Sequence, residues 1–436
     1  MSYPPQIAIR PLAIIPRATV RVPGSKSITN RALVLAALTA MPDRDLDVDG
    51  ALQSEDTEVM VESLRRLGFH AAPDWSAGRI RMRGVKASTR IPASAADLFV
   101  ANSGTSMRFL TALVSLGEGR YRLDGVPRMR ERPIADLLTA LQQLGVSADS
   151  EMANGCPPVT IAASGLRGGV VRIRGDVSSQ FLSGLLMAAP FAQSELVIEI
   201  EGMLVSVPYV DMTVAMMRLF GLSIAQDRPD RYRVPTPQQP TPPPRYVVEP
   251  DASAASYFFA AAAITGGSIT VPDLTEHSLQ GDVRFVRVLQ QMGCNVDYHT
   301  GGITVRGGPL HGIDVDMNDI SDTVMTLGVV ACFAAGPTVI RRVAHIRHKE
   351  TDRLTALATE LRRIGAGVDE HEDGLRITPA PLHGATISTY DDHRMAMSLA
   401  LAGLRIPGIV IDQPGCVAKT YPRFFDDLQG IGDVRA

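Results

Sequence analysis

Six stretches of this chain share one build, and that repetition constrains the fold more than any single motif. The first is PGSKSITNR at residues 23–31, which follows the strand-like residues 19–22 and leads into the apolar residues 32–38. FVANSGTSMRFLTALVSL, IRGDVSSQFLSGLLMAAP, VEPDASAASYFFAAAAI, DMNDISDTVMTLGVVACF and STYDDHRMAMSLALAGL repeat the plan: an extended run, a small polar cluster, then an Ala- and Leu-rich run of helical length. With Ser27, Gly104, Ser179, Ser253, Asp322 and His393 as markers, the intervals are 77, 75, 74, 69 and 71 residues. A period of that size marks a chain built from copies of one supersecondary unit. Each copy sets its polar cluster where a strand turns into a helix, so that free backbone N–H groups and the positive end of the helix dipole face outward and can hold an anion. Six such mouths converging on one cleft suit a substrate with several negative charges.

A second element recurs out of phase with the first. LRRLGF (64–69), LQQLGV (141–146), MRLFGL (217–222), LQQMGC (289–294) and LRRIGA (361–366) each read as the end of an amphipathic helix, with Gly in the left-handed position just past it. An alternating run, a turn and a second alternating run follow each, as in RIRMRG, PVTIAA, RYRV, GITVRG and GLRITP, which is the pattern of a hairpin. One copy is therefore strand, helix, strand, helix, strand, strand, an α/β unit with parallel pairs made by the helical crossovers. The sixth copy stops at FFDDLQGIG without a hairpin, and the N-terminal strand QIAIRP is positioned to complete it. The proline-rich residues 234–250, VPTPQQPTPPPRYVVEP, mark a linker or, on the plainer reading, a surface loop. The expected domains are 23–244, inserted, and 1–22 with 245–436, discontinuous, with crossings near Val22 and Pro240 acting as a hinge over the cleft.

The chain has 436 residues, which suits two or more domains, and a net charge of -3, which argues against a nucleic-acid surface. Basic residues are nevertheless concentrated at Arg128, Arg130 and Arg132 and again over 341–353, as small anionic substrates would require. Cys156, Cys294, Cys332 and Cys416 lie far apart without a CxxC pair and support neither a zinc site nor a disulfide framework. The N-terminus lacks a signal-peptide pattern, and the uncharged residues 252–272 are broken by Gly-Gly and read as a buried helix followed by a strand. A soluble cytoplasmic protein is expected.

The copies differ in their chemistry. GSKS resembles part of a phosphate loop but lacks the upstream Gly of the Walker pattern; Lys26 and Arg31 still bring an ammonium and a guanidinium to a helix start, the alternative being a capped helix with solvated bases. Asn102, Ser103, Gly104 and Thr105 offer donors, and Arg132 sits beside Pro133, a candidate first helical residue, although three alternating arginines also fit a charged loop. Ser178, Ser179 and Gln180 supply neutral donors, as do Ser206 and Tyr209, while serine pairs at helix starts are also ordinary caps. The fourth copy carries little that is reactive and reads as structure and hinge. Asp322 at a helix start would stay ionised and able to accept a proton, or would simply cap the helix. HIRHKETDR places Lys349, Glu350 and Arg353 on one first turn, with 349 and 353 as an i, i+4 cation pair that needs an anion. Asp391, Asp392, His393 and Arg394 lack the spacing of a metal site, so no metal and no cofactor is expected.

With these residues in view, the sequence resembles the 5-enolpyruvylshikimate-3-phosphate synthase family over essentially its whole length. The carrying motifs are PGSKSITNRAL, NSGTSMRFL, PRMRERPI, DVSSQFLSGLLMAAP, HKETDRL, YDDHRMAM and AKTYPRFF, seven in order. The resemblance implies a two-lobed enolpyruvyl transferase fold of six βαβαββ units, three per lobe, forming an inside-out α/β barrel. It implies transfer of the enolpyruvyl group of phosphoenolpyruvate to the 5-hydroxyl of shikimate 3-phosphate, with release of phosphate, by a monomer. Lys26, Ser27, Arg31, Ser178, Ser179, Gln180, Ser206, Tyr209, Asp322 and Lys349 would bind shikimate 3-phosphate. Lys26, Gly104, Arg132, Gln180, Arg353, Arg394 and Lys419 would hold phosphoenolpyruvate. Asp322 would take the hydroxyl proton, and Glu350, with Lys26 as a second candidate, would protonate the enol methylene. His345 stands where many members have Asn, and Ser103, Ser106 and Phe109 depart from a common pattern, so glyphosate sensitivity does not follow from the resemblance. The related UDP-N-acetylglucosamine enolpyruvyl transferases carry a reactive Cys before their Arg-Pro, and here no Cys lies between Asp124 and Pro133. A non-catalytic anion-binding protein on the same scaffold would need losses among Lys26, Asp322, Glu350 or Arg394, and all four are present.

Overall fold

A computed structural model describes residues 3–85 and 89–432. The chain divides into two compact units, an inserted one, Gly24–Val248, and a flanking one that joins Met1–Pro23 to Glu249–Ala436. Each unit carries three sheets, and among the described residues the six sheets remain open, with no hydrogen-bonded barrel.

In the second copy, Ala95–Phe99 pairs parallel with Glu118–Asp124, which pairs antiparallel with Val159–Ser164, itself antiparallel to Ser147–Ser150. The other four-stranded sheets repeat this order. The five glycines expected to end helices, Gly68, Gly145, Gly221, Gly293 and Gly365, all have φ between 79° and 112°, a region in which a Cβ is disfavoured. The sixth sheet has three strands, and Gln6–Ala8 completes it antiparallel to Val410–Asp412.

The first strands of copies one and four are exchanged. Arg17–Thr19, which precedes the first helix in sequence, lies parallel to residues 268–270 of the fourth copy. Arg245–Val247, which precedes the fourth copy's helix, pairs parallel with residues 47–49 of the first. The second crossing therefore falls at Val248/Glu249 rather than near Pro240, because the Val248 amide still donates to the Asp49 carbonyl at 2.8 Å and Arg245 is paired with the Asp49 carboxylate. Much of the proline-rich run thus belongs to the inserted unit.

The helices that open on the polar clusters are buried nearly all round: all eleven residues of Gly104–Val114 are inaccessible, as are all but the last of Ala252–Thr265. Helices such as Glu55–Arg66 and Arg353–Arg363 are one-sided and cover the sheets. A helix buried on every face lies inside the core, so the polar residues at its start are held on a rigid support. Residues 252–272 form the helix Ala252–Thr265 and the strand Ser268–Pro272, and no helix among the described residues is long and apolar enough to cross a membrane.

Candidate active site

In the inserted unit, Lys26 opens the helix Lys26–Thr39, behind the capping Ser25. Its ammonium lies 3.0 Å from Asp56 Oδ2, a fully buried carboxylate. One helical turn on, Arg31 is buried at 2 % exposure. Its Nε donates to Thr213 Oγ1 at 2.7 Å, Nη1 to the Ser27 carbonyl at 3.0 Å, and Nη2 to the Tyr209 carbonyl at 3.2 Å and Ser183 Oγ at 3.4 Å, while the Phe109 ring lies 5.0 Å from Cζ. All four of these acceptors are neutral, and burial lowers its pKa to about 10. A desolvated guanidinium held by neutral dipoles is a site that an anion stabilises.

Ser103 caps the helix Gly104–Val114. Arg132 is buried, and its Nη1 donates to the Asn102 carbonyl at 3.0 Å and to Asn102 Oδ1 at 3.3 Å. Glycine at 104 lets both guanidinium groups approach, since a Cβ there would lie 2.5 Å from Arg132 Nη2 and 3.0 Å from Arg108 Nη1 and would displace them. Of the three alternating arginines, Arg128 and Arg130 pair with Glu131 and Asp124 on the surface, whereas Arg132 turns inward. Pro133 precedes the N-cap Ile134 of the helix Ala135–Gln143 and is not its first residue. Ser178 caps Ser179–Ala188 by accepting from the Gln180 amide, and Gln180 Nε2 reaches Thr105 Oγ1 at 3.4 Å. Ser206 is the left-handed N-cap of Val207–Leu219, the helix that carries Tyr209, with φ 52°.

The flanking unit holds a denser cluster. Arg353, 1 % exposed, donates from Nε to Asp392 Oδ2 at 2.7 Å, from Nη1 to Asp322 Oδ1 at 3.0 Å and from Nη2 to Glu350 Oε2 at 2.7 Å. Arg394 Nη2 donates to Asp322 Oδ2 at 2.6 Å, and Lys419 Nζ lies 3.2 Å from Glu350 Oε1. Burial works against the Arg353 charge, but Asp392, Glu350 and Asp322 outweigh it and hold its pKa above the ordinary value. Three cations and three carboxylates thus interlock in one buried patch.

Two expectations need correction here. Asp322 is not the helix cap: it lies in the 3₁₀ turn Asn318–Thr323, Thr323 stands at the N-cap position of the helix Val324–Ala331, and the Asp322 oxygens are taken by arginines. Lys349 and Arg353 are not an i, i+4 helical pair. Lys349 ends the 3₁₀ turn Ala344–His348 with ψ -149°, and the helix Arg353–Arg363 starts only after Asp352, whose carboxylate caps the Thr355 amide. His345 is buried, with Nε2 2.9 Å from Ser321 Oγ, and burial together with Lys349 lowers its pKa to about 3.

Several participants were not visible in the sequence. Asp56 reads there as one of three acids in the first turn of an amphipathic helix. Ser253 and Tyr257, in the copy that looked unreactive, approach Arg394 at 3.4 and 3.5 Å, and the Ser253 hydroxyl donates to the buried Asp282. Burial and the nearby Asp322 raise the Asp282 pKa to about 6.

The chain is similar to known proteins over nearly its whole length. Residues 16–428 match the family described as EPSP synthase (3-phosphoshikimate 1-carboxyvinyltransferase). The 3-phosphoshikimate 1-carboxyvinyltransferase of Trichormus variabilis is 49% identical over 414 residues, covering 94% of this chain and 95% of that protein. The chloroplastic 3-phosphoshikimate 1-carboxyvinyltransferase of Petunia hybrida is 46% identical over 442 residues, covering 98% of this chain and 85% of that protein. The solved structure of EPSP synthase from Acinetobacter baumannii matches with a TM-score of 0.80 at 26% identity, covering 98% of each chain. By this full-length match the chain belongs to the EPSP synthase (3-phosphoshikimate 1-carboxyvinyltransferase) family.

Proposed function

We propose that this protein transfers the enolpyruvyl group of phosphoenolpyruvate to the 5-hydroxyl of shikimate 3-phosphate and releases phosphate. Family membership supports the reaction. The observation that carries its assignment to particular residues is the flanking-unit cluster, in which Arg353, Arg394 and Lys419 converge on Asp322 and Glu350. An incoming carboxylate and phosphate compete for the same N–H groups. Each N–H that moves to the substrate leaves a carboxylate less stabilised and therefore more basic.

In this reading, Arg353, Arg394 and Lys419 of the flanking unit, and Lys26, Gly104, Arg132 and Gln180 of the inserted one, hold phosphoenolpyruvate. Shikimate 3-phosphate is held by Lys26, Ser27, Arg31, Ser178, Ser179, Gln180, Ser206 and Tyr209 in the inserted unit and by Asp322 and Lys349 in the flanking one. Asp322 takes the proton of the 5-hydroxyl as its oxygen attacks C2 of phosphoenolpyruvate, and Glu350 or Lys26 delivers a proton to C3. Collapse of the tetrahedral intermediate returns a methyl proton to the group that delivered one, breaks the C–O bond to phosphate, which leaves with the proton held by Asp322, and restores the double bond. Fixed cations are effective here because they meet developing negative charge without reorganising. The protein is read as a cytoplasmic monomer working without a cofactor, since every assigned residue lies on one chain. Phosphorus NMR of a mixture of the two substrates and the protein tests the reading: inorganic phosphate and the enolpyruvyl ether should accumulate together, and a static spectrum would refute it.

A further inference from the structure

Asp392 and Arg394 are presented by a backbone turn that is itself strained. Tyr390 and Asp391 have φ of 55° and 53°, consecutive left-handed conformations that disfavour any residue with a Cβ. Such geometry persists only where the surroundings over-determine it. Here Glu360 supplies the constraint. Its carboxylate, wholly buried on the helix Arg353–Arg363, accepts from the Tyr390 hydroxyl at 2.8 Å and from the Ser388 amide at 3.2 Å, and lies 2.9 Å from Arg363 Nε. Within the turn, the Asp392 amide donates to the Thr389 carbonyl at 2.9 Å. The Thr389 hydroxyl donates to the Gln413 carbonyl at 3.5 Å, at the head of the turn Pro414–Lys419. Neither Glu360 nor Tyr390 is among the residues assigned to substrate.

We propose that Glu360, acting through Tyr390, is a positioning residue that holds the left-handed turn at 390–391 and thereby sets Asp392 and Arg394. The consequence for catalysis rests on the reading that Arg353 and Arg394 bind phosphoenolpyruvate. Without the clamp, Tyr390 and Asp391 relax toward right-handed or extended backbone. Asp392 then shifts from Arg353, and the two guanidinium groups no longer converge on one anion. The larger effect falls on phosphoenolpyruvate, because shikimate 3-phosphate meets this cluster only through Asp322 and keeps Ser27, Arg31 and the serines of the inserted unit.

The test is steady-state kinetics with each substrate varied in turn, alongside thermal melts, for the intact protein and for Glu360→Gln, Tyr390→Phe, Tyr390→Ala and Tyr390→Gly. Tyr390→Phe removes only one hydroxyl from a ring that is 39 % exposed, so it reads the clamp without threatening the fold. Glu360→Gln and Tyr390→Phe should raise KM for phosphoenolpyruvate about ten-fold, the scale of one strained residue, with KM for shikimate 3-phosphate within about two-fold. Tyr390→Gly should be the milder of the two truncations, because Gly adopts φ of 55° without strain whereas Ala does not. A merely structural role would lower the melting temperature and leave both KM values in place. With the parent protein active, an unchanged KM for phosphoenolpyruvate in Tyr390→Phe and Glu360→Gln, or equal kinetics for the Ala and Gly variants, overturns the proposal. An inactive parent protein overturns the functional reading first, and this consequence with it.

Discussion

Arg353 and Asp392 are joined by two hydrogen bonds, Nε to Oδ2 at 2.7 Å and Nη2 to Oδ1 at 3.3 Å, with both side chains all but closed to solvent. Asp392 also caps its own helix by accepting from the Arg394 amide at 2.8 Å. One carboxylate therefore aligns both arginines, through a side chain in one case and the backbone in the other. Asp322 and Glu350 accept from its Nη1 and Nη2 at 3.0 and 2.7 Å.

Replacing Asp392 with Ala should cost about 3 kcal/mol of stability, the lower end for breaking a buried ion pair, because Arg353 keeps Glu350 and Asp322 as partners. Denaturant titration of the variant against the parent measures this directly. A loss below about 0.5 kcal/mol would place the pair among contacts that contribute little.

Asp322→Ala should lower turnover by orders of magnitude while largely keeping the binding of the phosphate-bearing ligands. Removing the shared carboxylate leaves Arg353 and Arg394 with more donor capacity for an anion, not less. Rapid-quench turnover and calorimetric binding separate the two quantities, and unchanged turnover would remove Asp322 from the role of base.

Arg31 carries a buried charge that donates to four neutral acceptors, so it sacrifices stability that a hydrophobe would not. Arg31→Met should leave unfolding free energy within about 1 kcal/mol of the parent. Affinity for shikimate 3-phosphate should fall at least about 100-fold, the scale of lost charge-assisted hydrogen bonds. Melting temperatures with and without the ligand check both halves: the ligand-induced rise should vanish in the variant.

His345 gives a pH signature. Its folded pKa, about 3, lies below the ordinary 6.5, so the unfolded chain binds the extra proton first as pH falls. Its contribution is complete above about 6.5 and is lost as pH falls from there toward 3, with a slope approaching 1.4 kcal/mol per pH unit. His345→Asn should flatten that limb of the stability curve while leaving stability near pH 8 changed by about 1 kcal/mol or less. Parallel curves for the two proteins across the acid range would contradict the burial of a neutral imidazole.

What the sequence reveals is what is encoded locally. The glycines at 68, 145, 221, 293 and 365 sit next to the helices they end, and the hairpins alternate within a dozen residues, so both can be read without a partner. The place of Arg245–Val247 in a sheet of the inserted unit cannot, because a three-residue strand does not encode which sheet it joins. Lys349 was misplaced onto a helix because the charge pattern of HKETDR is continuous, although Asp352 three residues before Thr355 carries the capping signature that breaks it there. The candidate residues themselves were legible from the resemblance, but their partners were not. Asp56, Thr213 and Asp282 reach Lys26, Arg31 and Ser253 across 29 to 182 positions, and only folding brings them together.

The most direct measurement is phosphate release from phosphoenolpyruvate in metal-chelated buffer, with shikimate 3-phosphate as acceptor and, in parallel, UDP-N-acetylglucosamine. Release with shikimate 3-phosphate alone is the predicted result. Release only with the nucleotide sugar, or with neither acceptor in a folded sample, would contradict the assignment.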